Sequence, residues 1–220
     1  MRIIEPKISV IITAYNEELF IGRCLRSIIS QSLPSSDYEI IVVNDASTDK
    51  TEYALELFGD SIKVISNANN IGLPASINKG IKAAKGEFLV RLDADDYVNT
   101  NYLNFLYYFL EVNPEYDAVA CDYFLFDDNE AWIKKCDSIK RPIGCGIMFR
   151  TKHLIDLGLY DETFRVHEDK DMKLRFESKY KLGHLNVPLY RYRKHENNIT
   201  NNEDLMDYHE DKLNIKHSNS

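Results

Sequence analysis

No stretch of this 220-residue chain approaches the roughly 20 consecutive apolar residues that a bilayer-spanning helix requires. An integral channel or transporter built on helices is therefore excluded. Cysteine is sparse: Cys24, Cys121, Cys136 and Cys145 lie 97, 15 and 9 residues apart, and none forms a CxxC pair. That spacing excludes a zinc ribbon and a disulfide-dense secreted scaffold, and is read as reduced thiols. Positive charge is also short, with 27 Lys and Arg against 35 Asp and Glu for a net charge of −8. Such a surface repels phosphate backbones on average, so no nucleic-acid partner is expected. The opening Met-Arg-Ile-Ile-Glu-Pro lacks the apolar core of a signal peptide. The expectation is a soluble, cytoplasmic protein, with peripheral contact at the inner face of the membrane and self-association both left open.

What is present is a hydrophobic fraction of 44%, enough for the core of one domain. Residues 8–12 form an almost continuous β-branched run, the mark of a strand buried on both faces. Ile21, Cys24, Leu25, Ile28 and Ile29 then recur at helical spacing. Strand-like runs follow at 39–43, 62–65 and 88–92, separated by one helix ending near Gly59 and another between Pro74 and Gly86. Strict alternation predicts an α/β domain with a Rossmann-like, mostly parallel central sheet flanked by helices. The second half is less regular. It predicts a helix over 101–112, a strand over 118–126, a loop or hairpin over 127–140, a bend over 141–149, a helix over 168–180 and a last strand over 185–192. From 201 to 220 the chain is polar, read as a weakly ordered tail or a helix without a partner. No linker divides residues 1–200, so a single domain is expected.

In a parallel sheet, ligands bind beyond the carboxyl ends of the strands. That rule gathers residues 13–17, Asn44-Asp45 and Asp93-Ala94-Asp95-Asp96 into one crevice. Three neighbouring carboxylates repel unless a cation lies among them, and hard oxygen ligands favour Mg²⁺ or Mn²⁺ bound together with substrate phosphates. The plain alternative for this cluster is a solvated turn that caps the next helix. Asp45 can accept a hydrogen bond from a base, or it can close an Asx-turn. Asn70-Ile71-Gly72 is either a turn or a close backbone approach to a ligand. Glu168 and Asp169 are plain first-turn acids or a source of a general base. His195 is either a surface residue beside a basic strand or a ligand for metal or diphosphate. Trp132 has two readings as well: a platform for an acceptor sugar, or a partly buried core residue, the commoner fate of large aromatics.

The order of these signals resembles the inverting family-2 glycosyltransferases with the GT-A fold, over roughly residues 7–200. Ile8-Ser9-Val10-Ile11-Ile12-Thr13-Ala14-Tyr15-Asn16-Glu17 is similar to that family's first strand and its base- and ribose-binding turn. Ile41-Val42-Val43-Asn44-Asp45 is similar to its second. Asn70-Ile71-Gly72, Asn78-Lys79-Gly80, Gly86-Glu87-Phe88 and Leu92-Asp93-Ala94-Asp95-Asp96 resemble the stretch that leads to its DxD motif. The resemblance implies a metal-dependent transfer of a sugar from a nucleotide-diphosphate donor, with UDP favoured, to a hydroxyl of a saccharide or lipid-linked saccharide in surface polysaccharide or glycoconjugate biosynthesis. It implies donor contacts from Thr13, Tyr15, Glu17, Asp45, Asn70, Asn78, Lys79 and Asp93. Metal ligands would be Asp95 with Asp93 and His195. Catalysis falls to Asp169 with Glu168 in an ED motif, and Gly144 and Gly146 lie in an acceptor-side segment with Trp132 nearby. Residues 1–98 would form the nucleotide-sugar half and residues 99–200 the acceptor half. Many members carry Ala-Arg where this chain has Ser76-Ile77, and Lys79 is the expected substitute for the arginine. Rival readings are a non-catalytic nucleotide-sugar-binding scaffold and a sugar nucleotidyltransferase. The second lacks support, because residues 13–17 are acidic and contain no glycine for a triphosphate loop.

Overall fold

The computed structural model describes residues 5–127, 131–194 and 202–218. Strand β1 (Ile8–Ala14) pairs in parallel with β2 (Tyr38–Asn44) and with β4 (Phe88–Asp93), and β2 pairs in parallel with β3 (Lys63–Ser66). Helices α1 (Ile21–Ile29), α2 (Thr51–Glu56) and α3 (Leu73–Ala83) supply the crossovers. Of the stripe expected in α1, Ile21, Cys24, Leu25 and Ile28 are buried and Ile29 is half-buried, and α3 buries Ile77 and Ile81. The first half is thus the expected parallel α/β unit.

Beyond β4 the sheet becomes mixed, which corrects the expectation of a mostly parallel sheet. The short β5 (Tyr97–Val98) is followed by α4 (Tyr102–Val112), β6 (Ala118–Phe126), β7 (Trp132–Cys136) and β8 (Ile147–Arg150). Strand β8 runs antiparallel between β4 and β6, because a connection without a long crossover helix brings the chain back in the opposite sense. After α5 (Thr151–Asp156) and α6 (Glu168–Glu177), β9 (Leu182–Arg193) pairs in parallel with β6 and antiparallel with β5. The strand order is β3-β2-β1-β4-β8-β6-β9-β5, and β7 pairs with β6 in the hairpin anticipated for 127–140.

Each face of the sheet carries an apolar core. Ile8, Val10, Ile12, Val90 and Leu92 pack with α1 and α4, while Ile11, Ile41 and Leu89 pack with α3, α5 and α6. All four cysteines are free and buried, as sparse reduced thiols should be. Among the described residues no helix is long and apolar enough to cross a membrane. The polar tail is instead helix α7 (Glu203–His217), with His209 and Leu213 buried, so it does have a partner.

Candidate active site

The ends of β1, β2 and β4 lie side by side: Thr13 is in register with Asp93, and Ala14 with Asn44. The turns that leave them are tied together by their own polar side chains. Asn16, at φ 58°, accepts from the Thr48 amide at 2.8 Å, and Ser47 Oγ accepts from the Asn16 amide at 3.0 Å. Thr51 Oγ1 accepts from the Glu17 amide at 2.8 Å. These Asn, Ser and Thr side chains satisfy backbone N–H groups of the two turns and tie the turns to each other.

Asp45 is buried, and its carboxylate takes hydrogen bonds from Asn67 Nδ2 at 2.8 Å and from the Ile71 and Gly72 amides, both at 2.9 Å. It thereby fixes the loop at 70–72 against β2. Three of its roughly four acceptor positions are used, which leaves one for an incoming N–H donor.

Arg91, two residues before Asp93 and on the same face of β4, is the residue that sequence reasoning missed. Its Nε reaches Asp93 Oδ1 at 3.0 Å and its Nη1 reaches Glu168 Oε1 at 2.8 Å. One buried guanidinium thus joins the acidic cluster of β4 to the acidic start of α6. Burial works against the charge on Arg91, but Asp93 and Glu168 hold its pKa well above the ordinary value. Burial pushes the Glu168 carboxyl up to about 7, outweighing the pull of Arg91, and Asp169 adds to the rise. The period of two along a strand is the signal that could have found Arg91.

The acids at 93–96 divide by role. Asp96 is buried and accepts from Tyr190 Oη at 2.6 Å and from the Arg193 amide at 2.7 Å. Burial, then Asp95 and Asp93, raise its pKa well above the carboxylate range, so it anchors β9 rather than facing the cleft. Arg193 Nε donates to the Asp95 carbonyl at 3.0 Å. Ligand atoms of Asp93, Asp96 and Cys145 lie within 4.8 Å of one another. The donor set there is poor for a hard cation, since burial pushes the Cys145 thiol well up and Asp96 already has partners. Carboxylates at the cleft surface, Asp93 and Asp95, suit Mg²⁺ or Mn²⁺ better.

A cleft of about 790 Å³ is lined by Thr13, Tyr15, Glu17, Asp45, Asn70, Asp93, Asp95, Gly144, Glu168 and Asp169, ten of the residues singled out from sequence. Gly144 abuts the proposed base: a Cβ there would lie 2.4 Å from Asp169 Cβ, so only glycine lets the two segments meet.

Other expectations land elsewhere. Asn78 does not line the cleft; it is a buried strut whose side chain bonds both backbone polar groups of Tyr160 and Glu162 Oε1, each at 2.9 Å. Lys79 Nζ donates to Asn67 Oδ1 at 2.5 Å and so touches Asp45 only through Asn67. Gly146, at φ +80°, turns the chain into β8 against Tyr190 and is not a cleft residue. Trp132 is neither in the cleft nor buried: it is 63% exposed, because β7 has β6 as its one partner strand among the described residues. His195 lies outside the described residues.

Residues 9–170 match the family model described as glycosyl transferase family 2. A poly(ribitol-phosphate) beta-glucosyltransferase of Bacillus spizizenii is 40% identical over 111 residues, 49% of this chain and 18% of that protein. The uncharacterised glycosyltransferase EpsJ of Bacillus subtilis is 30% identical over 221 residues, 89% of this chain and 63% of that protein. The chain therefore spans less than two thirds of either relative. Among solved structures, residues 1–349 of Staphylococcus aureus TarS superpose with a TM-score of 0.75 at 25% identity, covering 85% of this chain and 60% of that one. A Pyrobaculum calidifontis mannosyltransferase bound to GDP-Man and Mn²⁺ superposes at 0.78 and 19% identity, covering 98% and 65%, a likeness of fold alone.

Proposed function

The chain belongs to glycosyl transferase family 2, and from that membership we propose that it is a metal-dependent, inverting transferase. The donor is a nucleotide-diphosphate sugar, with UDP as the favoured nucleotide. The acceptor is a hydroxyl of a glycan or lipid-linked saccharide, in surface polysaccharide or glycoconjugate biosynthesis. The observation that carries this reading is the meeting of Asp93 and Asp95 with Glu168 and Asp169 in one cleft, beside the turns at 13–17, 45 and 70–72.

Thr13, Tyr15, Glu17, Asn70 and the remaining acceptor position of Asp45 hold the nucleoside, with uracil N3–H as the natural donor to that carboxylate. Asp93 and Asp95 would hold Mn²⁺ or Mg²⁺, which when bound would supply positive charge to offset that of the diphosphate. Asp169 accepts the proton of the attacking hydroxyl, on the side where Gly144 opens space for its side chain. Attack from the face opposite the leaving group inverts the anomeric carbon. Glu168, held by Arg91, orients the start of α6 rather than taking that proton. We place the enzyme in the cytoplasm, meeting a membrane-bound acceptor peripherally. The names of the TarS and poly(ribitol-phosphate) relatives support a polymeric or surface-glycan acceptor.

Asp95→Ala tests the metal assignment. Calorimetry of UDP with the native chain is expected to give tighter binding when Mn²⁺ is added, and the variant is expected to lose that gain. A variant that keeps the full Mn²⁺-dependent gain contradicts the role of Asp95.

A further inference from the structure

We propose that α7 is the acceptor-side wall of the cleft, fixed to the helix that carries Glu168 and Asp169 through Asp171, and that Leu205 and Met206 shield the reacting centre from water. This rests on the transferase reading above.

The docking of α7 is built on one stripe. Met206, His209, Glu210, Leu213, Lys216 and His217 fall at spacings of three and four, so they share a helix face. Asp171, fully buried on α6, is the hub beneath that face. Its carboxylate meets Lys216 Nζ at 2.7 Å and His217 Nε2 at 2.9 Å from α7, and Arg175 Nε at 2.9 Å from its own helix. Lys216 also reaches Asp161 at 2.8 Å, and Lys212 donates to the Thr163 carbonyl at 2.7 Å. Nearer the catalytic pair, Glu210 Oε2 bridges Lys170 Nζ at 2.6 Å and His167 Nε2 at 3.1 Å, the residues on either side of Glu168-Asp169. His209 is buried, with its ring 5.8 Å from that of Phe164. So α7 grips the whole stretch from 161 to 171.

The start of the helix turns this grip into a wall. Leu205 and Met206 line the same cleft as Asp169, together with Phe164 and Val166. The turns proposed for the donor come from β1, β2 and β4, whereas α7 docks on α6, the helix that carries Glu168 and Asp169. Leu205 and Met206 bring no charge and no hydrogen-bond donor, so they do not serve a diphosphate. They suit the face of a sugar ring, and they exclude water that would otherwise compete with the acceptor.

Two double variants test this with UDP-glucose and UDP-N-acetylglucosamine in Mn²⁺ and water as the sole acceptor. Leu205→Ser with Met206→Ser opens the wall directly. Lys216→Met with His217→Gln loosens its docking while the Asp171–Arg175 pair stays intact. Each is expected to raise donor hydrolysis about three- to tenfold, with UDP affinity unchanged, because water reaches the site more easily. Hydrolysis that is unchanged, or that falls together with UDP affinity, overturns the proposal, since a merely structural helix lowers both. A native chain that neither binds UDP nor hydrolyses either donor overturns the transferase reading and the wall with it, and that outcome is read from the native chain alone.

Discussion

Replacing Asp169 by asparagine is expected to lower kcat for sugar transfer by roughly 10²- to 10⁴-fold, the usual worth of a general base. Binding of UDP should be preserved, because Asp169 stands at the start of α6 and the turns proposed to hold the nucleotide leave β1, β2 and β4. The substitution keeps the shape of the side chain, so the close fit against Gly144 survives and a folding defect is not the expected cause of the loss. Steady-state kinetics with the preferred donor, together with calorimetry of UDP, separate the two effects. Transfer within twofold of the native rate removes Asp169 from the role of base and leaves the acids of β4 as the whole of the chemistry.

Replacing Arg91 by methionine is expected to cost about 3–5 kcal/mol of stability, the scale for breaking a buried ion pair from one side. Both of its carboxylate partners lose their counter-charge, and Glu168 is only 4% exposed, so water cannot compensate for the loss. The effect has a pH signature. Glu168 in the native chain titrates at about 7, above its ordinary 4.5, so the folded state binds the extra proton and stability falls as pH rises through that window. Without Arg91 the folded pKa rises further and the falling window extends to higher pH. The deficit of the variant should therefore widen from pH 5 to pH 8 in urea unfolding. A deficit below about 1 kcal/mol, the size of an exposed pair, or one that does not change with pH, contradicts the link that joins β4 to α6.

These two residues also mark how far the sequence could be read. The alternation from β1 to β4 was legible because β1, β2 and β4 are largely apolar and buried and the crossover helices α1 and α3 carry apolar stripes, whereas β3 is mostly exposed and was legible from its β-branched residues alone. The pair Glu168-Asp169 and the cluster at 93–96 were legible through their order along the chain. Arg91 was not noticed, although its spacing from Asp93 places both on one face of β4. The reversal at β8 was hidden because hydrophobic content does not encode strand direction. Helix α7 was read as a weakly ordered tail or a helix without a partner because its docking face buries only His209 and Leu213 and is otherwise polar, with Glu210 and Lys216 held by ion pairs with α6. Asn78 was expected at the donor from its position in a motif, while the geometry of α3 turns its side chain toward Tyr160.

Release of UDP is the most direct test of the central claim. The purified chain is mixed with Mn²⁺ and a panel of nucleotide sugars, with and without a cell-envelope glycan fraction, and free nucleoside diphosphate is measured. The proposed transferase activity predicts release from one UDP-sugar that is faster with the glycan fraction present. UDP bound in the cleft with no release from any donor under either condition would contradict it.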